Sequence, residues 1–272
     1  MTKTKLISNN KASSVTIDHG ELVSYIKDGE ELIHQKGSPG WDRSDIEMFP
    51  IIGPSHTNNN RVTTKKGVCI QGQHGFLREL KYHLIEKKSN SAVLQKEYTS
   101  LAKIPNSRFP KNSTEPEFFW PFDFTFTKSF ELFDDALHIH FELISEKGMP
   151  FMFGYHPTFK LAGKGDEIIR IQNQKITIDE VLKKGGSAYP FFDVNKLTLL
   201  KKEGSNIHIK TQGFDNIMFW TEVKNMICLE PITQYPDLDT QSYSENNMRI
   251  STGKDLFSVL IIPFRNPLSK NT

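Results

Sequence analysis

Hydrophobic and polar residues alternate in short runs along most of the chain. In 122–127, phenylalanine occupies every second position and aspartate or threonine the positions between, so one face of this segment is aromatic and the other polar. After two aspartates at 134–135, leucine, isoleucine and phenylalanine occupy every second position of 137–143. A period of two residues on both sides of a turn predicts a pair of antiparallel strands.

The same pattern recurs from the N-terminal to the C-terminal part of the chain. His19-Gly20 and Asp28-Gly29 separate short β-type runs, and the second dipeptide is a strong hairpin signal. Alternating runs also occupy 196–211 and 216–230, and 256–264 has the composition of a continuous apolar strand. The pattern predicts one strand after another, joined by tight turns.

Helical periodicity is scarce by comparison. The segment "DEVLKK" at 179–184 is compatible with one short turn or helix. The chain contains no internal repeat, no low-complexity tract and no long linker. We therefore expect a single all-β domain over 1–272, mainly antiparallel, with two large sheets packed face to face.

Composition and charge narrow the range of functions. The 272 residues are 37% hydrophobic and 24% charged, which is typical of a globular protein with a large core. A net charge of +2 is too small to favour nucleic acid or an anionic membrane surface as a partner. The N-terminal residues lack a signal-peptide pattern and no stretch is apolar enough to span a bilayer, so we expect a cytoplasmic protein.

The two cysteines offer little chemistry by themselves. Cys69 and Cys228 are far apart in the sequence and neither belongs to a C-x-x-C pair, which argues against a disulfide framework or a zinc site. Neither lies in a nucleophile motif such as G-x-S-x-G. We interpret both as buried, unreactive thiols in a reducing compartment.

A second candidate chemistry is metal binding in the run that follows the double aspartate. His138, His140 and Glu142 share one face of a predicted strand, and an H-x-H pair can chelate a divalent ion. The opposite face of that strand is apolar, so the same residues are explained as the polar face of an amphipathic strand. We predict no metal site.

Three separated residues form the strongest candidate site. His74 lies between glycines in "QGQHGFLREL", where it is either a surface loop residue or an imidazole presented to a ligand. His156 precedes Pro157, where a strand is expected to end. Glu230 follows a buried apolar run and precedes Pro231, and a carboxylate at the end of a buried strand is unfavourable unless hydrogen-bonded or used in chemistry. Together they suggest acid–base chemistry.

These segments resemble the aldose 1-epimerase, or galactose mutarotase-like, family. "MFPIIGP" with "GQHGFLRE" is similar to that family's early strand and histidine loop, and "GMPFMFGYHPTF" to its second histidine block. "MICLEPITQYPD" is similar to its glutamate strand. The resemblance extends from about residue 20 to 264. It implies a large β supersandwich with an open cleft that binds a small-molecule sugar and needs no cofactor.

The resemblance also implies a role for each of the three residues. His74 would orient the sugar near its ring oxygen, His156 would be the general acid that protonates that oxygen, and Glu230 would be the general base for the anomeric hydroxyl. The reaction is the interconversion of α and β anomers through ring opening and closure. Reference pKa values of about 4.3 for glutamate and about 6.5 for histidine suit these roles near neutral pH.

Other substrate-binding positions depart from the family pattern. The arginine that often follows the glycine of the "FPIIG" strand is replaced by Pro54, for which Arg61 or Arg78 could compensate. Asp193 is the nearest match to the family's sugar-binding aspartate, and Tyr155 could stack on a sugar face.

Two alternatives remain open at the level of sequence. One is a non-catalytic carbohydrate-binding module, favoured by the missing arginine but not by the retained histidines and glutamate. The other is an epimerase of hexose phosphates, which would need a cluster of basic side chains around the phosphate. The sequence offers only scattered candidates for that cluster, such as Arg61, Arg78 and Lys160.

Overall fold

The alternating runs form strands in the computed structural model, which describes residues 3–265. In chain order the strands are β1 Thr4–Ile7, β2 Ser13–Asp18, β3 Glu21–Lys27, β4 Glu30–Glu31, β5 Glu47–Met48, β6 Arg61–Thr64, β7 Gly67–Ile70, β8 His83–Lys87, β9 Ser91–Tyr98, β10 Ile104–Pro105, β11 Glu117–Phe118, β12 Phe124–Leu132, β13 Leu137–Ser145, β14 Pro150–Phe151, β15 Gly154–Tyr155, β16 Thr158–Lys160, β17 Ile168–Ile171, β18 Gln174–Thr177, β19 Tyr189–Phe192, β20 Lys196–Leu200, β21 Asn206–Gln212, β22 Asn216–Trp220, β23 Met226–Ile232, β24 Arg249–Ile250 and β25 Lys254–Phe264. One short α-helix, α1, spans Ile178–Leu182, where the sequence indicated a helical turn.

Two large sheets dominate the structure. The first has nine strands in the order β18-β17-β20-β21-β25-β13-β12-β9-β8. The second has six, in the order β19-β22-β23-β15-β5 with β16 also paired to β23. Neighbouring strands in both sheets are antiparallel. The predicted all-β, mainly antiparallel fold is therefore confirmed.

Aromatic side chains fill the space between the two sheets. Phe126 of β12 and Phe141 of β13 project from the nine-stranded sheet, and their rings lie 5.3 and 5.2 Å from that of Phe153. Phe141 also lies 5.0 Å from the ring of Tyr155 on the six-stranded sheet. The inward-facing positions of the alternating runs thus meet across the sandwich, as the period of two requires.

The last strand differs from its predicted burial. Strand β25 pairs with β13 on one side and β21 on the other, yet its side chains alternate between buried and accessible positions. Phe257, Val259 and Ile261 are buried, whereas Leu256 on the opposite face is 60% exposed. The apolar run at 256–264 is therefore a strand with one covered face, because within residues 3–265 the outer face of the nine-stranded sheet has no second layer over it at this point.

A buried cluster of charges lies between the sheets, in a layer that is otherwise mostly apolar. Lys128 of β12 is fully buried, and its Nζ lies 2.8 Å from Asp45 Oδ2 and 2.6 Å from Glu47 Oε1. Lys96 of β9 approaches the other oxygen of Glu47 at 3.5 Å. These ion pairs connect the nine-stranded sheet to β5 of the six-stranded sheet.

Helices contribute little to this architecture. Helix α1 begins at a capping box in which Thr177 and Glu180 exchange hydrogen bonds. Within residues 3–265, no helix has the length and hydrophobicity needed to cross a membrane.

Candidate active site

His156 and Glu230 lie next to each other on neighbouring segments of the six-stranded sheet. Strand β15 pairs with β23 at Gly154 and Ile232, and β16 pairs with β23 at Thr158 and Cys228. The register is the same on both sides of the short break between β15 and β16, so His156 stands directly opposite Glu230. Directly opposite side chains are close neighbours, and His156 Nε2 lies 3.3 Å from Glu230 Oε1.

The position of Glu230 within its strand differs from the prediction. Strand β23 does not stop before Pro231 but continues through it to Ile232. The proline lies beside residues 156–157, which belong to no strand, although the Leu229 N–H still donates to the Pro157 carbonyl at 3.3 Å.

The loop that carries His74 is fixed to the segment 49–53. The His74 backbone N–H donates to the carbonyl of Gly53, and the Phe49 N–H donates to the carbonyl of His74. His74 and Gly75 both have positive φ angles, 64° and 68°. A Cβ at position 75 would lie 2.0 Å from the Phe49 carbonyl oxygen, so this position requires glycine.

The same loop also sets the tautomer of His74. The Gly53 N–H donates to His74 Nδ1 at 3.0 Å, so this nitrogen carries no proton in the neutral ring. The proton is therefore on Nε2, which lies 3.4 Å from the side-chain nitrogen of Gln73 and, like that nitrogen, can donate a hydrogen bond to a ligand. Of the two interpretations of this loop, the one with a presented imidazole agrees with the structure.

The three predicted catalytic residues line one cleft with a volume of about 330 Å³. The His74 and His156 rings lie 6.0 Å apart, and the ring of Trp41 covers His156 at 4.4 Å. A larger cavity of about 490 Å³ adjoins this cleft at Ile46 and Arg78. None of the three predicted catalytic residues lines it. The smaller cleft is therefore the candidate active site.

Burial sets the protonation of the facing pair. Glu230 is 1% exposed, and within residues 3–265 neither carboxyl oxygen has a hydrogen-bond partner, so burial raises its pKa well above the ordinary value. Burial lowers the pKa of His156 to about 3. These shifts favour a neutral pair with its one titratable proton on Glu230, and not the carboxylate and imidazolium expected from reference values.

The comparisons with known proteins agree on one family. The family model for aldose 1-epimerase matches residues 56–251. The chain belongs to the aldose 1-epimerase family. No match was found among curated protein sequences.

Several solved structures are similar to this chain. A galactose mutarotase-like protein from Lactobacillus casei has a TM-score of 0.78 and 18% identity over 97% of this chain and 100% of its own. A galactose mutarotase related enzyme from Lactobacillus acidophilus has a TM-score of 0.74 and 19% identity over 97% and 98%. A galactose 1-epimerase from the same organism has a TM-score of 0.64 and 12% identity over 98% and 100%. They confirm the galactose mutarotase-like fold.

Three of the predicted substrate-binding residues of this epimerase-family chain lie outside the cleft. Tyr155 precedes His156 on the chain and therefore points to the opposite face, where its hydroxyl donates to Asp45 Oδ2 at 2.7 Å. Arg61 is exposed at the start of β6, and Asp193 is exposed in the turn after β19. None of the three lines the cleft, so these assignments are not supported by the structure.

Arg78 is the predicted substrate-binding residue that does line the cleft, and it has a neighbour that the sequence analysis missed. Arg78 donates to the backbone carbonyl of Gln73, and Arg108 Nη1 donates to the Gln73 side-chain oxygen at 2.9 Å. Arg108 comes from a separate loop after β10. Trp41 and Trp220 form another part of the wall, and an aromatic wall suits the apolar face of a sugar ring.

One group of side chains at the cleft has the geometry of a metal site. His156, Cys228 and Glu230 each offer one ligand atom, and these atoms lie within 4.8 Å of one another. Cys228 is fully buried behind the other two, with its Sγ 3.1 Å from Thr158 Oγ1. Burial and nearby Glu230 raise the pKa of this thiol well above its ordinary value, which disfavours the thiolate that a metal needs.

The residues that the sequence analysis considered for metal binding lie on a polar strand face. His138, His140 and Glu142 lie on β13, and Glu142 pairs with Lys254 at 2.6 Å. Within residues 3–265 they do not belong to a group of three ligands.

Proposed function

We propose that this protein is an aldose 1-epimerase, which interconverts the α and β anomers of an aldose. The observation that carries the proposal is the pair His156 and Glu230, 3.3 Å apart at the floor of the cleft, with both carboxyl oxygens free of hydrogen bonds. A buried carboxyl group without partners is unfavourable in the empty protein. A sugar hydroxyl that enters the cleft would supply the missing hydrogen bond.

The reaction needs one proton acceptor and one proton donor on the sugar. In the ring-opening step, the Glu230 carboxylate takes the proton of the anomeric hydroxyl while protonated His156 donates a proton to the ring oxygen. The bond between the anomeric carbon and the ring oxygen breaks, and the anomeric oxygen becomes a carbonyl. Rotation of the carbonyl and reversal of both transfers give the other anomer and restore both residues.

The protonation of the empty cleft is compatible with these roles. The pair shares one proton, and moving it from Glu230 to His156 produces the carboxylate and imidazolium that ring opening needs. A hydroxyl that donates to Glu230 stabilises the carboxylate, because hydrogen bonds to the charged form lower a carboxyl pKa. We propose that His74 holds the sugar through its Nε2 proton on the other wall of the cleft.

The experiment that tests the function is anomer exchange measured by NMR or polarimetry on a panel of free sugars. An aldose 1-epimerase should raise the exchange rate above the spontaneous rate in the same buffer, and each sugar's own rate must be subtracted. A carbohydrate-binding module would bind a sugar from the same panel and leave every exchange rate at the buffer value. That outcome would refute the proposed reaction.

The pH dependence of kcat/KM is a second expected result. Because burial lowers the pKa of His156 to about 3 and raises that of Glu230, the pair keeps one proton throughout the interval between the two values. Activity should therefore vary little around pH 6.5, where an ordinary histidine would titrate. Loss is expected toward strong acid, as His156 gains a proton, and at alkaline pH, as Glu230 loses one.

This profile is measured as kcat/KM because that constant reports the free enzyme. A sigmoidal loss centred near pH 6.5 would show that an ordinary imidazole controls the reaction, contrary to the burial of His156.

Removal of metal ions is expected to leave the activity unchanged. His156 and Glu230 act on the sugar directly in this proposal, and the remaining ligand candidate, Cys228, is a buried thiol. The measurement is anomer exchange before and after exhaustive treatment with a chelator. A large loss that Zn²⁺ or another divalent ion restores would contradict the direct roles of the pair.

A further inference from the structure

Two arginines on the wall of the cleft have no carboxylate partner. Arg78 is half-buried and Arg108 is exposed, and neither takes part in an ion pair within 4.0 Å among the residues from 3 to 265. Both instead donate to Gln73, one to its backbone and one to its side chain. Two neighbouring guanidinium groups repel each other unless an anion lies between them.

Burial and this repulsion both act on the pKa of Arg78. Burial, followed by the charge of Arg108, lowers the pKa of Arg78 to about 9, and Arg43 acts in the same direction. Nearby Glu79 opposes the shift but accepts a hydrogen bond from Ser107 at 3.0 Å. Arg78 remains a cation at neutral pH, and within residues 3–265 no carboxylate oxygen lies within 4.0 Å of its guanidinium.

The arginines lie where the cleft continues into a second cavity. This cavity has a volume of about 410 Å³ and shares Gln73, Arg78 and Arg108 with the cleft. Its remaining wall is mostly neutral and polar, with Lys111 as a further cation and Glu79 as its acidic member. A ligand with its reacting end at His156 can therefore extend past both arginines.

We propose that Arg78 and Arg108 form a subsite for an anionic substituent, and that the substrate is an aldose with a phosphate ester remote from the anomeric carbon. The inference rests on the proposed function for the reacting end of the substrate. Guanidinium groups form short, charge-assisted hydrogen bonds to phosphate oxygens, often in pairs. A sugar without the anion leaves both cations unbalanced.

An anion at this position would also assist the chemistry at the other end of the cleft. The charge of Arg78 contributes to the lowered pKa values of both His74 and His156. A phosphate between the arginines cancels part of that charge and makes it easier for His156 to hold a proton. Binding of the anionic group thus favours the protonated imidazole that ring opening requires.

The test compares anomer exchange of galactose and glucose with that of their 6-phosphates, in a buffer free of phosphate. The wild-type protein should have a higher kcat/KM for the phosphorylated sugars. Arg78→Gln and Arg108→Gln should each lower that value by about 10- to 100-fold, and should reduce the ratio of kcat/KM for phosphorylated sugars to that for free sugars. Arg170→Gln, on β17 and outside both cavities, is the matched control and should have no effect.

Galacturonate and glucuronate carry a carboxylate instead of a phosphate ester. They test which of the two anionic groups the subsite binds. Exchange of the uronates but not of the 6-phosphates would overturn the phosphate assignment. Equal kcat/KM for free and phosphorylated sugars, unchanged in both arginine variants, would overturn the subsite while leaving the epimerase function intact.

The proposed epimerase function and the proposed anion subsite can be refuted independently of each other. If no sugar is exchanged faster than in buffer, the proposed function fails, and binding of galactose 6-phosphate is measured by calorimetry. Binding that both arginine substitutions weaken would still support the subsite, whereas binding that they do not change, or no binding, would overturn it.

Discussion

Replacement of Glu230 by glutamine should lower kcat for anomer exchange by about 10²-fold or more. Glutamine keeps the size of the side chain but cannot take the proton of the anomeric hydroxyl. Sugar affinity should change far less, because the amide still offers an oxygen to that hydroxyl. The two effects are separated by anomer-exchange kinetics and by a direct binding measurement on the same variant.

The matched control is Glu142→Gln on the accessible face of β13, which removes a carboxylate of similar size far from the cleft. Its kcat should equal that of the wild-type protein. His156→Asn should resemble Glu230→Gln, whereas His74→Asn should weaken binding and turnover together because His74 orients the sugar. A Glu230→Gln protein with wild-type kcat would exclude Glu230 as the base.

The sequence allowed the fold and the three central residues to be predicted for local reasons. Strand alternation with turns at dipeptides such as Asp28-Gly29 depends on neighbouring residues, and the structure has both. Glu230 was identifiable because an ionisable residue interrupts an apolar run. His74 was identifiable because glycines surround it, and Gly75 occupies a position that no other residue fits.

The errors have equally local causes. Tyr155 and His156 are adjacent on the chain and therefore face opposite sides of the sheet, so the alternation already excluded one of them from the cleft. The strand of Glu230 continues through Pro231 to Ile232 because it pairs with β15 and β22, distant segments that the sequence of β23 does not encode.

Contacts between distant segments could not be predicted. Arg108 and Trp41 reach the cleft from loops far from all three central residues in the sequence. For the charge cluster around Lys128, the sequence pattern indicates the lysine but not its partners. Lys128 is in phase with Phe126 and Phe130 on the buried face of β12, so the alternation indicated a buried lysine, but its partners Asp45 and Glu47 are about 80 positions away.

Replacement of Lys128 by methionine should lower the free energy of unfolding by about 3–5 kcal/mol. Methionine fills a similar volume, but it removes the closest cation from both carboxylates, leaving Asp45 with the Tyr155 hydroxyl and Glu47 with the more distant Lys96. Removing one partner of a buried ion pair leaves an uncompensated charge in a medium that solvates it poorly. The measurement is urea unfolding of the variant and the wild-type protein at neutral pH.

The control is Lys254→Met, which breaks an accessible ion pair with Glu142 at the similar distance of 2.6 Å. Because solvent screens that pair, its loss should change the stability by about 0–1 kcal/mol.

The deficit of Lys128→Met should also shrink as the pH falls. Burial already raises the pKa of Asp45, and Lys128 opposes that rise and holds the pKa of Glu47 low. Without Lys128 both folded-state pKa values rise, so protonation stabilises the folded variant at low pH and that contribution is lost as the pH rises. Equal losses in the two variants at every pH would show that burial gives the Lys128 cluster no special role, and that packing alone holds β5 beside His156.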